Sequence, residues 1–220
     1  MSEGNSRVIE SNQDGIHEDL TDIVNKHFAT KFLKPFAEHT KQAFAEVEAQ
    51  LASKSMPIIF DSCCGVGDSS RALANLYPNH WVVGIDKSAD RLSRERDNNE
   101  PDNLILARAD LNDFYRLAVQ ANWQVDKHFI LYPNPWPKSA HVKRRWHGSA
   151  VFPEIIKLGK TIELRSNWKL YLEEFAYALK LAGMDSELKP YQFETAITPF
   201  EQKYHNSGQP LWQLTAELYN

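Results

Sequence analysis

From Pro57 onward, short runs of apolar residues alternate with segments long enough to form helices. Strands separated by helical segments are typical of βαβ units around a buried parallel sheet. We predict strands within residues 57–62, 80–86, 103–110, 127–133, 160–166, 187–195 and 210–220. The pattern therefore predicts an α/β fold with roughly seven strands and flanking helices, in which the last strand is antiparallel.

The chain before Pro57 has a different character. Residues 1–15 are polar and acidic, which predicts a mobile arm. Apolar residues then recur at helical spacing, and Pro35 marks a break between two helices, so residues 16–55 form a helical layer on an α/β core of residues 56–220. No stretch has the roughly 20 apolar residues of a membrane span, and no secretory signal is recognisable. We expect a single domain of a cytoplasmic protein.

A glycine turn follows the first predicted strand. Gly65 and Gly67 come directly after it, and glycines at such a turn let a ligand approach the backbone closely. A dinucleotide-binding fingerprint would carry a third glycine at the start of the next helix, where this chain has Ser70. A pyrophosphate cradle is therefore not predicted.

Acidic residues end three successive strands, at Asp61, Asp86 and Asp110. Each alone is best explained as a helix cap. Together they lie at one edge of a parallel sheet, where an acid typically binds ribose hydroxyls. Three acids and a glycine turn suit a ligand that contains an amino acid, a ribose and an adenine but no phosphate. We predict S-adenosylmethionine.

The fourth strand ends in the sequence LYPNPWPK, residues 131–138. Prolines fix φ and bias the residues before them away from the α region, so we predict an extended segment that presents Asn134 at the sheet edge. The next residues are basic: Lys138, His141, Lys143, Arg144, Arg145 and His147. A solvated charged face would explain them, but the nearby tryptophans favour phosphate contacts and base stacking with RNA.

The run from residue 57 to residue 218 resembles the bacterial tRNA (guanine-N7-)-methyltransferases, in motif order and above all in the Pro-Trp-Lys loop with its basic cluster. The resemblance implies a Rossmann-like class I methyltransferase fold, S-adenosylmethionine as cofactor, tRNA as partner, no metal ion, and a monomer or homodimer. It implies that the cofactor contacts Asp61, Gly65, Gly67, Asp86, Asp110 and Asn134, the last also catalytic. Substrate residues are then Lys138, Arg144, Arg145, Asn167, Thr198, Phe200 and Glu201.

Three of the chain's departures from this family bear directly on the predicted site. Cys63 stands where the family's first glycine usually lies, and Asn134 and Asn167 each replace an aspartate. Losing one preorganised charge in a dry site costs about a hundredfold to a thousandfold in rate. Other acids, Glu163 or Glu201, are an alternative source of that charge.

These departures leave other functions open. One is a divergent paralogue that methylates another nucleobase or a small molecule, and another is an RNA-binding protein without catalysis. A third rests on a loose likeness of the PNPW loop to enzymes that methylate exocyclic amines. The most direct expectation is formation of 7-methylguanosine in tRNA.

Overall fold

A computed structural model describes residues 6–94 and 100–218 and contains one seven-stranded sheet. The strands are β1 Ile58–Ser62, β2 Trp81–Asp86, β3 Leu104–Arg108, β4 Val125–Leu131, β5 Thr161–Ser166, β6 Ser186–Pro190 and β7 Trp212–Glu217. Their order across the sheet is β3-β2-β1-β4-β5-β7-β6. β7 runs antiparallel to both of its neighbours, and the other pairs are parallel. The predicted fold class is confirmed.

Helices connect the strands and cover the sheet. They are α1 Leu20–Ala29, α2 Glu38–Leu51, α3 Asp68–Leu76, α4 Ala89–Leu92, α5 Leu111–Gln120, α6 Phe152–Ile155, α7 Lys169–Leu181 and α8 Pro199–Asn206. Two short 3₁₀ helices, Ser139–Arg144 and Trp146–Gly148, follow the loop after β4. Within the described ranges, no helix is long and apolar enough to cross a membrane.

The core lies on both faces of β1. Successive side chains of a strand point to opposite faces, so Ile59 and Phe60 belong to different apolar clusters. The Phe60 cluster includes residues of α1, α2, α5 and α7, whereas the Ile59 cluster packs against α3. Every residue of β1 is buried, as expected of a central parallel strand.

The break predicted at Pro35 lies between α1 and α2. Arg116 of α5 holds this connection: its guanidinium carbon lies 5.0 Å from the ring of Phe32 and 4.1 Å from that of Phe36, and it donates to the carbonyl of Lys34 at 2.8 Å. Both helices contribute to the same apolar cluster as the sheet. The boundary at residues 55 and 56 stays a prediction.

Candidate active site

The turn between β1 and α3 has an unusual backbone. Cys63, Gly65 and Gly67 all have positive φ values, of 62°, 61° and 83°. A side chain at Gly67 would lie 2.8 Å from the side chain of Leu106, whereas nothing lies within 4 Å of a side chain built at Gly65. The backbone at Gly65 therefore faces open space and is accessible to a ligand.

Cys63 is strained, because a left-handed backbone costs an L-residue about 1–2 kcal/mol. Cys63→Gly relieves this strain but also removes the contacts of a half-buried side chain. We expect the net effect to raise the free energy of unfolding by about 0.5–1 kcal/mol in urea titrations. Cys64→Gly is the matched control, because Cys64 is buried and is not among the residues with positive φ. That variant should be less stable than the wild type. If both variants lose a similar free energy of unfolding, the backbone of Cys63 is not strained.

Asp61 is fully buried beneath this turn. Its Oδ2 atom accepts hydrogen bonds from the hydroxyls of Ser69 and Ser70, both at 2.6 Å. Its Oδ1 atom is buried and has no hydrogen-bond partner among the described residues. Burial raises the pKa of Asp61 to about 6, against the opposing effect of the two serine hydrogen bonds. A buried carboxylate oxygen without a donor is costly, and a cationic ligand would supply one.

Asp86 holds the glycine turn from the end of β2. Its Oδ2 atom accepts from the amide of Gly65 at 3.0 Å, and its Oδ1 atom accepts from the amide of Ser88 at 2.8 Å. Arg91 lies 3.6 Å from the same carboxylate. Asp86 therefore fixes the shape of the turn whether or not it also contacts a ligand.

Asp110 is the N-cap of α5, where its Oδ1 atom accepts from the amide of Asn112 at 2.9 Å. Asp110 is therefore a helix cap, which is one of the two explanations that the sequence allowed. The side chain is half-exposed at the end of β3, so capping does not exclude a ligand contact.

A cavity of about 250 Å³ lies at the carboxyl edge of the sheet. Residues 63–66 of the turn line one side, and Thr198 and Phe200 at the start of α8 line another. A larger groove of about 530 Å³ crosses β4, β5, β7 and β6, but it contains no residue of the glycine turn. The smaller cavity is therefore the candidate active site.

The PNPW loop is not extended as predicted. Tyr132 and Trp136 have φ values of 51° and 46°, in the left-handed region. Arg145 donates to the carbonyl of Trp136 at 3.1 and 3.2 Å and to that of Lys138 at 3.3 Å, and these bonds favour a turned backbone over the extended preference of residues before proline. The loop leaves the side chain of Asn134 exposed at the sheet edge.

Arg145 was predicted to contact the substrate, and its position in the structure corrects that prediction. Its side chain is 0% exposed and lies 2.5 Å from Glu174 of α7, with its guanidinium carbon 4.9 Å from the ring of Trp168. A buried and paired guanidinium cannot contact a phosphate. His147 of the basic cluster is also buried, where it bonds to the same Glu174 at 2.8 Å.

The exposed part of the basic cluster is smaller than predicted. Lys138, Lys143 and Arg144 are exposed, and His141 is half-buried. The guanidinium carbon of Arg144 lies 4.7 Å from the ring of Trp136. A cationic surface thus begins beside the PNPW loop.

Three predicted substrate residues lie on or beside α8. Thr198 caps the helix and accepts from the amide of Glu201 at 3.0 Å, and Phe200 is 41% exposed. Glu201 is fully buried: one oxygen accepts from Arg165 at 2.7 Å and the other from the amide of Ile197 at 2.8 Å. In this arrangement Glu201 stabilises α8 and has no surface to offer a substrate, which corrects its predicted role.

One arginine pairs with both of the acids that the sequence offered as alternative sources of the negative charge that Asn134 lacks. Arg165 of β5 lies 2.6 Å from Glu163 and 2.7 Å from Glu201. Glu163 also lines the larger groove rather than the candidate site. Neither acid therefore replaces the charge absent at Asn134.

Asn167 follows β5, next to the strand that leads into the PNPW loop. It is half-buried, and its Nδ2 atom donates to Oε1 of Gln209 at 2.8 Å. Gln209 precedes β7 and was not singled out from the sequence, because an isolated glutamine in a loop carries no pattern.

The N-terminal segment also borders the site, which its sequence did not indicate. We call residues 6–17 the strap. Ser11 donates to the carbonyl of Pro137 at 2.7 Å, and Asn12 accepts from the amide of Ser139 at 2.9 Å. The predicted mobile arm overlaps this strap, and residues 1–5 lie outside the described residues. Ser11 and Asn12 therefore lie against the end of the loop that carries Asn134.

Comparisons with known proteins identify the family of this chain. A family model described as putative methyltransferase matches residues 55–214. A tRNA (guanine-N(7)-)-methyltransferase of Streptococcus pneumoniae is 26% identical over 214 residues, 89% of this chain and 99% of that protein. One from Saccharophagus degradans is 26% identical over 182 residues, 76% of this chain and 77% of that protein. The family resemblance drawn from the sequence motifs is confirmed.

Solved structures support the fold alone. A 16S rRNA methyltransferase, KamB, has a TM-score of 0.58 at 14% identity, over 86% of this chain and 97% of its own. The antibiotic-resistance methyltransferase Kmr has a TM-score of 0.56 at 17% identity, over 80% of this chain and 93% of its own. Both similarities extend over most of the α/β core.

Proposed function

Because the chain belongs to the family of putative methyltransferases, we propose that it transfers the methyl group of S-adenosylmethionine to N7 of a guanine in tRNA. One observation carries the proposal: Gly65, predicted to contact cofactor, lines the same cavity as Thr198 and Phe200, predicted to contact substrate. A cofactor and a target base in that cavity would be neighbours. Such a substrate also accords with the predicted cytoplasmic location.

The cofactor fits the three acids. S-adenosylmethionine, when bound, supplies a methyl group activated by a sulfonium. The partnerless Oδ1 atom of Asp61 would accept from its ammonium group. The oxygens of Asp86 keep lone pairs for ribose hydroxyls beyond their backbone bonds. At Asp110, both side-chain hydrogen bonds within the described residues are accepted by Oδ1, so Oδ2 can accept a hydrogen bond from the adenine amine.

The exposed Asn134 would act on the target base. Guanine N7 has a lone pair and no proton to lose, so the site must align the base and stabilise the positive charge that grows on the ring. The amide oxygen of Asn134 can orient a group by hydrogen bonding but carries no net charge. We therefore expect transfer that is slower than a carboxylate at this position would give.

The exposed cations beside the loop favour an RNA substrate over a small molecule. Lys138, Lys143 and Arg144 would bind phosphates, and Trp136 offers an aromatic surface for stacking. Because such contacts release counterions, affinity for tRNA should fall steeply as salt rises.

The test uses unmodified tRNA transcript and cofactor with a labelled methyl group. Wild-type protein should label the tRNA, and Asn134→Asp should raise the rate about tenfold to a hundredfold by restoring the charge. Asn122→Asp makes the same chemical change in a turn after α5 and should leave the rate unchanged.

Two results would favour the other functions. Cofactor binding without label in tRNA would indicate a paralogue with another base or a small molecule as substrate. Absence of cofactor binding would indicate an RNA-binding protein without catalysis.

A further inference from the structure

A chain of amide groups links the strap to Asn167. Gln209 donates through Nε2 to the carbonyl of Ser6 at 2.8 Å, and its Oε1 accepts from Nδ2 of Asn167 at 2.8 Å. A backbone carbonyl can only accept, so the Ser6 carbonyl fixes which end of the Gln209 amide faces it. The other end is therefore an oxygen, and Asn167 must present a donor to it.

The backbone on both sides of Gln209 is held in place. Gln209 follows the C-terminus of α8, where its amide donates to the carbonyl of Tyr204 at 3.0 Å and Gly208 adopts a φ of 67°. This is the pattern of a helix that ends in a left-handed glycine. The strap is held too, because the amide of Ser6 donates to the hydroxyl of Ser207 at 3.1 Å.

This arrangement gives the Asn167 amide one orientation. An unrestrained amide can rotate by a half-turn and exchange its oxygen for its nitrogen. Here Nδ2 is directed to Gln209, so Oδ1 lies at the opposite end of the group. Asn167 is half-buried and lies just beyond the end of β5, beside the strand that carries the PNPW loop.

We propose that Gln209, held by Ser6 of the strap, is a positioning residue that orients Asn167 so that its Oδ1 atom accepts from the N1–H and 2-amino edge of the target guanine. This inference rests on the proposed function, and it names the edge of the base that the site recognises. Asn167 thereby supplies the acceptor that an aspartate would supply, at a position where an unrestrained amide could present its donors instead.

The test is a double-mutant cycle on methyl transfer to tRNA. Gln209→Ala should lower kcat/KM about tenfold, because the half-buried Nδ2 atom of Asn167 loses its acceptor and the amide is free to turn its donors toward the base. In an Asn167→Asp background, Gln209→Ala should not lower kcat/KM, because both carboxylate oxygens accept in any orientation and the Oε1 atom of Gln209 would face an acceptor there. Cofactor affinity should be the same throughout.

Gln202→Ala is the matched control, since Gln202 is an exposed glutamine of α8 whose amide bonds to Asn206. Thermal unfolding of each variant confirms that it is folded. A second variant, Gln209→Glu, keeps an oxygen for Asn167 but loses the donor to the Ser6 carbonyl, so its activity should fall between those of the wild type and Gln209→Ala.

The outcomes separate the two proposals. Equal losses from Gln209→Ala in both backgrounds would show a purely structural role and overturn the orienting role alone. Absence of transfer to tRNA guanine by the wild-type protein, with cofactor bound, would overturn both proposals together.

Discussion

Replacing Glu174 by glutamine should lower the free energy of unfolding by about 3–5 kcal/mol, because it leaves a buried charge without its partner. The carboxylate is 0% exposed and accepts four hydrogen bonds: from Arg145 at 2.5 Å, His147 at 2.8 Å, the side chain of Gln13 at 2.5 Å and the amide of His17 at 2.9 Å. It joins α7, the basic cluster and the strap. Methyl transfer should be lost as well, since Arg145 would no longer hold the PNPW loop.

The effect of Glu174 should depend on pH. Burial alone would raise its pKa, but the hydrogen bond from His147 and the charge of Arg145 outweigh burial and lower it from 4.5 to about 2. A carboxyl whose pKa is lower in the folded protein stabilises the fold above its unfolded pKa, and that contribution is lost as pH falls through the folded value. Wild-type protein should therefore lose this stability between about pH 4.5 and 2.

Urea titrations of Glu174→Gln and Glu173→Gln test this. Glu173 is the neighbour of Glu174 on α7, but it is partly exposed and paired with Lys169 at 3.0 Å. An exposed pair of this kind contributes less than about 1 kcal/mol. If Glu174→Gln costs no more than Glu173→Gln, the buried network does not hold the loop.

Replacing Asp61 by asparagine should weaken binding of S-adenosylmethionine about 10- to 100-fold. The amide oxygen can still accept from Ser69 and Ser70, but an NH₂ group replaces the anionic oxygen proposed to meet the ammonium group. A hydrogen bond to a charged group contributes about 1.5–3 kcal/mol. Isothermal titration calorimetry measures the difference.

The same titration, repeated between pH 5 and 7, separates the charge of Asp61 from its shape. Because burial raises the pKa of Asp61 to about 6, wild-type affinity should fall below about pH 6, at most tenfold per pH unit. Asp61→Asn should show no such fall, and Asp102→Asn, at an exposed position, should behave as the wild type does. A pH dependence that persists in Asp61→Asn would assign it to another group.

Unfolding does not explain a loss of affinity in this variant. The pKa of Asp61 is raised from its usual value of 3.8 to about 6 in the folded protein, so the stability of the fold decreases as pH rises between these two values, and the loss is complete at pH 7. Asp61→Asn should therefore be at least as stable as the wild type at pH 7. A less stable variant would mean that the serine hydrogen bonds require the carboxylate.

The sheet could be predicted because its pattern is local. Each strand is a short apolar run, and the buried β1 is a continuous one. The edge that carries Asp61, Gly65 and Asp86 follows from parallel strands ending on one side. Tertiary contacts decide the remainder of the site.

Arg145 shows why the rest could not be predicted. It lies next to the exposed Arg144 in the sequence, and contacts with residues distant along the chain, above all the ion pair with Glu174 of α7, determine that Arg145 turns inward. The same arginine holds the carbonyl of Trp136 in a turned loop, against the local preference of a residue before proline. The strap is likewise bound by polar side chains without a periodic pattern.

The most direct test of methyl transfer to guanine N7 is the identity of the methylated nucleoside. Purified wild-type protein is incubated with unmodified tRNA and labelled S-adenosylmethionine, and the tRNA is then digested to nucleosides and separated. We expect the label in 7-methylguanosine, with a stronger signal from Asn134→Asp. Label in any other nucleoside, or no label from a protein that binds the cofactor, would contradict transfer to guanine N7.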